Sequence, residues 1–237
     1  MTVHYRTKGF VFKKEDRVEA NRSFSVFTED YGRVEIVGKA IRKINSKLRA
    51  GIDLFNFSEI EFIQGKNNKT LTDAVLIDKF SINDNLRKIK IAHRISDIMD
   101  NFLKGQEKDT GTFELIKEVF LILDEKNIKN QIFVYFYFLW NFLDLQGYKS
   151  EADVCAVCSG KLNPYSVYFS NKEGGVICKE CLGFDPNSQK INSDIVKILR
   201  LIFKKEWQVL SKLKVDKRSI YEFAQISENY YLYVLPK

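Results

Sequence analysis

Four cysteines, arranged as two pairs, place the strongest constraint on how this chain can fold. Cys155 and Cys158 form one C-x2-C motif, Cys178 and Cys181 form a second, and 19 residues (159–177) lie between the motifs. Two residues between ligands let a tight turn direct both thiolates at one metal ion, and a second such turn completes a tetrahedral set. The spacing therefore predicts one zinc ion per chain, bound by all four cysteines.

Two disulfides or a redox-active C-x-x-C pair are the alternatives to a zinc site. Disulfides persist in oxidising compartments, whereas cytoplasmic proteins keep their thiols reduced or bound to metal. The N-terminus shows no long apolar segment and no small-residue cleavage site, so the sequence predicts a cytoplasmic protein and favours zinc. Because four thiolates leave no open position on the ion, its predicted role is structural.

The composition is that of an ordered globular protein. Hydrophobic residues make up 45% and aromatic residues 14% of the 237 residues, enough for one large domain or two to three small ones. The most apolar stretch, residues 132–143, is about half the length needed to cross a bilayer. We therefore interpret it as a buried core helix.

Short β-rich runs separated by polar turns occupy the first 80 residues. Residues 24–27 and 33–37 are two such runs, and the turn Glu29-Asp30-Tyr31-Gly32 between them indicates a hairpin. About five short strands in a segment of this length favour a small closed barrel.

Helical spacing replaces this pattern after residue 80. Apolar residues from Ile91 to Leu103 fall on one helical face, and residues 113–123 and 128–145 predict two further helices. The last of these is apolar all round, so it should be central to a helical core, and Gly147 is predicted to end it.

A further helix is predicted after the cysteine motifs. Asn192 or Ser193 could cap it, and its apolar positions recur at helical spacing: Ile195, Ile198, Leu199, Ile202 and Leu210. The predicted fold class is thus α+β. We expect a barrel domain in residues 1–80, a helical domain in residues 81–150 and 190–237, and an inserted zinc module in residues 151–189.

The net charge of +7 indicates a tendency towards anionic partners, and it is unevenly distributed. Basic residues outnumber acidic ones by 15 to 11 in residues 1–80 and by 9 to 3 in residues 190–218, whereas residues 81–150 are balanced at 10 to 10. These two basic regions are therefore the candidate nucleic-acid surfaces.

One run of eleven residues, 39–49, which we call the basic segment, contains five cations and no acid. These cations are Lys39, Arg42, Lys43, Lys47 and Arg49. We predict that they bind phosphate groups, with a merely solvated basic loop as the alternative. Nearby Phe27 and Tyr31 could stack on bases, although core packing is the commoner role of such side chains.

No arrangement of residues indicates catalysis. His4 and His93 are the only histidines, and the sequence has no phosphate-binding loop, dinucleotide fingerprint or zinc-protease motif. The pairs Asp97/Asp100 and Asp124/Glu125 could bind metal in a nuclease, but acidic pairs of this kind are more often helix-surface charges.

The order of several segments resembles bacterial RecO proteins. The runs Phe24–Arg33, Gly38–Lys43 and Ser46–Leu48 are similar to the Phe-Thr turn, Gly-Lys segment and basic stretch of the N-terminal domain in that family. The Phe138–Leu143 helix, Gly147-Tyr148 and the first cysteine motif likewise follow the family order of core helix, Gly-Tyr end and four-cysteine zinc module.

The resemblance implies an N-terminal OB-fold, a helical body with an embedded zinc module, and a recombination mediator rather than an enzyme. Such proteins bind single- and double-stranded DNA, anneal complementary strands, and work with RecR and single-strand-binding protein to help load the RecA recombinase. We carry over DNA contacts for the basic segment and Zn²⁺ for the four cysteines. The alternatives are a zinc-ribbon scaffold that binds proteins and, less favoured by the residues, a nuclease.

Overall fold

Five strands in the N-terminal part of the chain close into a barrel. The structure, a computed structural model, describes residues 3–82 and 85–236. The strands are β1 (His4–Asp16), β2 (Arg22–Thr28), β3 (Gly32–Gly38), β4 (Asn56–Gln64) and β5 (Lys69–Lys79). They lie in the order β1-β2-β3-β5-β4, and every pairing is antiparallel except that of β3 with β5. The predicted closed barrel is confirmed.

Strand β1 closes the barrel because it pairs with a different neighbour along each half. Residues 4–10 pair with β4, and residues 9–16 pair with β2. The change of neighbour occurs at Gly9, where a Cβ atom would lie only 2.5 Å from Cγ1 of Val26. The missing side chain therefore allows β1 to pass close over β2 at this point.

The predicted hairpin between residues 29 and 32 is confirmed. Thr28 of β2 pairs with Gly32 of β3, and the Thr28 hydroxyl donates to the Gly32 carbonyl at 2.8 Å. Gly32 has a φ of 59°, a left-handed conformation that glycine adopts without steric cost.

Apolar side chains from the strands and from the β3–β4 connection fill the barrel. In that connection, Ile41 and Ile52 are buried, and the short 3-10 helix η1 (Lys47–Ala50) contributes Leu48 to the edge of the core. The strand residues of this core are Val11, Phe24, Val26, Val34, Ile36, Ile60, Phe62 and Leu71.

Two helices pack on the barrel and complete the first of two structural units, residues 1–126. They are α1 (Leu86–Phe102), capped by Asn85, and α2 (Thr110–Asp124), capped by Asp109. The ring of Phe120 in α2 lies 4.0 Å, centroid to centroid, from that of Phe10 in β1. The predicted helical domain comprises residues 81–150 and 190–237, whereas the division between units falls after residue 126. Helical periodicity reveals an apolar face but not which surface covers it.

Arg33 and Asp100 tie β3 to α1. The guanidinium Nη2 lies 2.7 Å from Asp100 Oδ1, and Nη1 donates to the Leu103 carbonyl at 2.9 Å. Lys13 donates to the other Asp100 oxygen at 2.9 Å. Burial opposes ionisation of Asp100, but the hydrogen bonds from Lys13 and Arg33 outweigh it and hold the pKa of this carboxyl below its usual value.

The second unit, residues 127–237, is built around α3 (Ile132–Leu145). Every residue from Phe133 to Leu143 is buried, which confirms the predicted core helix. Gly147, with a φ of 89°, follows the helix as predicted. Within the described ranges, no helix combines the length and apolar character needed to cross a membrane.

A three-stranded sheet and three more helices surround α3. The sheet has the order β7-β6-β8, and the remaining elements are β6 (Val167–Ser170), β7 (Gly175–Cys178), the 3-10 helix η2 (Lys179–Phe184), β8 (Gln189–Ile191), α4 (Ser193–Phe203), α5 (Trp207–Leu210) and α6 (Lys217–Val234). Asn192 caps α4, one of the two predicted residues. Leu210 lies in α5 rather than in the predicted longer helix, because the chain turns after Phe203 and Lys205 adopts a φ of 56°.

Aromatic stacking joins the sheet to the helices of this unit. The indole of Trp140 in α3 stacks on Tyr230 of α6 at 5.1 Å, and Phe169 of β6 meets both rings edge-on at 5.6 Å. Trp140 Nε1 donates to the Ser227 hydroxyl at 3.0 Å, which satisfies its buried N–H.

The Arg33–Asp100 contact gives a first prediction. Asp100→Asn should lower the free energy of unfolding by about 1 kcal/mol at pH 7, because the partly exposed ion pairs with Lys13 and Arg33 are lost. The pKa of Asp100 is depressed in the folded state, so this contribution is present above the unfolded pKa of about 4 and is lost as pH falls through the folded pKa. Urea titrations of both proteins between pH 3 and 7 measure the difference. An equal gap at pH 3 and pH 7 would contradict this account.

Candidate metal centre and basic surface

The four cysteines converge at one point in the second unit. The Sγ atoms of Cys155, Cys158, Cys178 and Cys181 all lie within 4.8 Å of one another. Cys158 is exposed, whereas the other three are buried, and none is part of a disulfide. In the described part of the chain, this is the only group of three or more candidate metal-ligating side chains of this kind.

Local backbone bonds form the two turns that carry these thiols. In the first turn, the Cys155 N–H donates to the Gly160 carbonyl at 2.9 Å, and the Ser159 N–H donates to the Cys155 carbonyl at 2.8 Å. In the second, Cys178 ends β7 and Cys181 lies in η2. The Cys178 N–H points at the Cys155 sulfur, 3.4 Å away, and links the turns.

The protein environment lowers the pKa of one cysteine thiol and raises the pKa of two others. Burial opposes ionisation of Cys155, but backbone N–H groups of Cys158, Cys178 and Val157 donate to its sulfur and lower its pKa to about 6. Burial raises the pKa of the Cys178 and Cys181 thiols. A metal ion bound among the four sulfurs would favour their deprotonated form.

The spacing of the sulfurs fits a tetrahedral metal site. Zinc–sulfur bonds of about 2.3 Å place ligand sulfurs about 3.8 Å apart, and the Sγ atoms of Cys158 and Cys178 are 3.9 Å apart. This distance is far longer than the roughly 2.05 Å of a disulfide. The donor set and its spacing therefore match a metal centre better than the disulfide alternative.

The basic segment lies between β3 and β4 and is anchored to the barrel. Ile41 is buried in the barrel core. The Ala40 N–H donates to Asn21 Oδ1 at 2.8 Å, and the Arg42 N–H donates to the Ala20 carbonyl at 3.1 Å. These bonds hold the segment beside the turn that joins β1 to β2.

All five predicted cations are exposed, but Arg42 differs from the others. Its guanidinium lies 3.0 Å from the Asp16 carboxylate. Hydrogen bonds from Arg22 and then Arg42 lower the pKa of Asp16 below its usual value. Within the described residues, no carboxylate forms an ion pair with the other four cations of the segment: Lys39, Lys43, Lys47 and Arg49.

The aromatic side chains considered for base stacking are covered by other residues of the protein. Phe27 is buried, and Tyr31 is half-buried with its ring edge-on to Tyr5 and Phe62. Sequence reasoning missed Ile44 instead, which is 97% exposed between Lys43 and Lys47. A lone apolar residue within a basic, turn-rich run is the signal that could have identified it.

The second basic region, residues 190–218, contains both paired and exposed cations. Arg200 of α4 donates to the carbonyls of Ala152 and Asp153 at 2.9 and 3.1 Å, so it holds the chain next to the first cysteine turn. Lys204, Lys205, Lys212 and Lys214 are exposed. This region therefore contains an arginine that stabilises the fold and four lysines that form a positively charged surface.

One carboxylate of each acidic pair considered for a nuclease site has a structural partner. Asp100 binds Arg33 and Lys13, and Asp124 Oδ1 accepts from the Ser81 N–H at 2.6 Å. Glu125 contributes its backbone carbonyl, which accepts from the buried Lys88 ammonium at 2.8 Å. These contacts give Asp100 and Asp124 a role within the fold.

Two family profiles cover almost the whole chain. The profile Recombination protein O N terminal matches residues 1–80, and Recombination protein O C terminal matches residues 83–237. The chain belongs to the RecO family. The N-terminal RecO profile ends just after β5, so it corresponds to the barrel, and the C-terminal profile includes α1, α2 and the second unit.

RecO proteins from several bacteria align with the chain over most of their length. The DNA repair protein RecO of Dehalococcoides mccartyi is 29% identical over 92% of this chain and 85% of its own. Those of Caldanaerobacter subterraneus and Halalkalibacterium halodurans are 27% and 26% identical, over 89% and 96% of this chain and 84% and 88% of theirs. The chain is therefore similar to RecO proteins throughout, not only around the cysteines.

Arg42 forms an ion pair with Asp16, whereas Lys43 forms none among the described residues, and this difference gives a second prediction. Arg42→Met should lower the free energy of unfolding of the barrel unit, because it removes the bond between the basic segment and Asp16. Lys43→Met removes the same charge from the same turn but no ion pair, so it should leave stability unchanged. Chemical denaturation followed by circular dichroism compares them. Equal stability of the two variants would show that the Arg42–Asp16 bond does not hold the segment.

Proposed function

We propose that this chain is a recombination mediator that binds single- and double-stranded DNA and anneals complementary strands in the cytoplasm. It acts with RecR and single-strand-binding protein to help load RecA. The observation that carries the proposal is an acid-free group of exposed cations anchored on the barrel of a RecO-family chain.

We infer that the barrel is an OB-fold. Its five strands follow the order β1-β2-β3-β5-β4, with a short helix, η1, in the connection between β3 and β4. OB-folds bind oligonucleotides on the β2–β3 face and on the loops that join β1 to β2 and β4 to β5. The basic segment lies beside the first of these loops, at Ala20 and Asn21.

The lysines of the basic segment are suited to phosphate contacts. Lys39, Lys43 and Lys47 carry exposed ammonium groups, which approach a phosphate as mobile point charges. Contacts of this kind do not depend on base sequence. Ile44 lies among them and offers an apolar surface to an unstacked base.

Annealing follows from the same electrostatics. Two complementary strands repel each other through their phosphates, and bound cations neutralise part of that charge while counterions are released. Bases that remain unoccupied by the protein are free to pair. This activity requires neither a nucleotide nor a catalytic group, so we propose that the protein is not an enzyme and has neither ATPase nor nuclease activity.

The cysteine cluster would hold one structural zinc ion. Four thiolates complete the tetrahedral coordination and leave no position for a substrate. Bound zinc would supply folding free energy to residues 151–189, a segment that contributes few large apolar side chains to the core.

The DNA proposal predicts a change in salt dependence. Affinity for single-stranded DNA should fall with salt at a logarithmic slope of about 0.7 per phosphate contact, so Lys43→Ala with Lys47→Ala should reduce the slope by about 1.4. Binding should weaken equally for unrelated sequences, and annealing of two labelled complementary oligonucleotides should slow in parallel.

A charge-matched variant controls this experiment. Lys149→Ala with Lys161→Ala removes two exposed ammonium groups from the second unit and should leave the slope close to that of the parent. If both double variants change the slope equally, the effect reflects net charge rather than this surface. If neither does, residues 190–218 become the preferred DNA surface.

The metal proposal is tested by elemental analysis of the purified, reduced protein. We expect one zinc per chain, and Cys178→Ser should lose most of it and lower thermal stability, because the buried cluster is left one ligand short. Ser159→Ala, a change in the same module without a ligand atom, should retain the metal. Well under one equivalent of zinc in the folded parent protein would overturn the proposal.

A further inference from the structure

Two exposed apolar side chains lie on neighbouring turns of the barrel. Ile44, in the basic segment, is 97% exposed, and Val18, in the turn that joins β1 to β2, is 84% exposed. The Ser46 N–H donates to the Lys43 carbonyl at 3.1 Å, so Ile44 occupies a corner of a tight turn. Single exposed aliphatic residues are common on protein surfaces, and what distinguishes this pair is its surroundings.

Hydrogen bonds through Arg42 join the two turns. Its backbone N–H donates to the Ala20 carbonyl at 3.1 Å, and its guanidinium donates to the Arg17 carbonyl at 3.4 Å. Val18 lies between these two acceptors in the chain, and Ile44 follows Arg42 by two residues. The two apolar side chains therefore belong to the same surface as the cations of the basic segment.

Left-handed backbone at three residues fixes the shape of these turns. Glu19 and Ala20 have φ values of 58° and 63°, and Ala40, in the basic segment, has a φ of 50°. Residues with a side chain adopt such values infrequently, and these three are half of the six that do so in the described part of the chain. Conformations of this kind persist where surrounding contacts hold them, and they are concentrated at ligand-binding sites. The turns are thus held in one shape before a partner binds.

The neighbours of Ile44 indicate the chemistry of that partner. Lys43 precedes it and Lys47 follows three residues later, and neither ammonium group forms an ion pair among the described residues. Two aliphatic side chains are too small an apolar patch for a stable protein interface. A nucleic-acid strand, in contrast, presents phosphates and apolar base faces in alternation, so it matches an apolar side chain between two cations. Isoleucine is among the side chains that DNA-binding proteins insert between bases.

We propose that Ile44 inserts between two adjacent bases of a bound single strand, while Lys43 and Lys47 contact the flanking phosphates and Val18 packs against one of the separated bases. This inference rests on the proposed DNA function and adds the conformation of the bound strand, which is unstacked at Ile44. Separating adjacent bases costs less where stacking is weak. Thymine runs should therefore bind more tightly than adenine runs, without any contact to base edges.

Salt titrations of single-strand binding separate an apolar contact from a phosphate contact. Ile44→Ala should weaken binding of an all-thymine oligonucleotide about fivefold, the lower end of what a base contact contributes. The logarithmic slope should stay that of the parent, because an apolar side chain releases no counterion. Val18→Ala should cause a smaller loss, also without a change in slope. The advantage of thymine over adenine oligonucleotides should shrink in Ile44→Ala.

A matched variant controls for the loss of an exposed aliphatic side chain. Leu121 of α2 is 50% exposed in the same unit and lies outside the basic segment, so Leu121→Ala should bind both oligonucleotides like the parent. Circular dichroism verifies the fold of each variant, which the exposure of Ile44 should leave intact.

A tryptophan at the same position reports directly on base contact. Both natural tryptophans, Trp140 and Trp207, are buried, so the emission of Ile44→Trp is dominated by exposed indole that oligonucleotides can reach. Stacking on bases should quench this emission and tighten binding, since an indole offers more surface to a base than isoleucine does. Leu121→Trp should show neither effect.

The outcomes distinguish this inference from the DNA function on which it rests. If Ile44→Ala binds like the parent while Lys43→Ala with Lys47→Ala still lowers the slope, insertion is wrong and the DNA surface stands. If none of these variants changes binding, both proposals fail. Emission of Ile44→Trp that shifts to the blue with phosphatidylglycerol vesicles and does not respond to oligonucleotides would overturn the inference in favour of a lipid surface.

Discussion

Closure of the barrel depends on strand β1, which pairs with two neighbouring strands. Strand β1 pairs with β4 along its first half and with β2 along its second. In the closed barrel, the β3–β4 connection packs Ile41 and Ile52 into the core. The cations of this connection remain exposed. The basic segment is therefore held by apolar burial and two backbone-directed hydrogen bonds, and it does not need DNA to become ordered.

The cations of this protein have two different roles. Arg33, Arg42 and Arg200 each use the planar guanidinium to bind carboxylates or carbonyls of neighbouring segments. Lys43 and Lys47 have no such partners among the described residues and stay exposed. The net positive charge thus divides into cations that stabilise the fold and cations available to an anionic partner, a distinction that a count of charges cannot make.

Much of the fold could be predicted from local patterns. Short β-rich runs predicted the barrel, and the uniformly apolar stretch predicted the core helix α3, because burial on all sides requires apolar residues on all sides. The division of the helices could not be predicted. Helices α1 and α2 pack on the barrel, and α4 ends at Phe203 rather than continuing to Leu210. Which surface covers an apolar face is decided by contacts between residues far apart in the chain.

The sequence by itself determined the four candidate cysteine ligands and the five cations of the basic segment, because C-x2-C spacing and an acid-free basic run are local properties. Only the tertiary structure decided that the two cysteine motifs meet within 4.8 Å. It also decided that Arg42 is bound to Asp16 and that Phe27 is buried, whereas Ile44 is exposed. Pairing and burial depend on distances across the fold, and a linear pattern of residue types does not contain those distances.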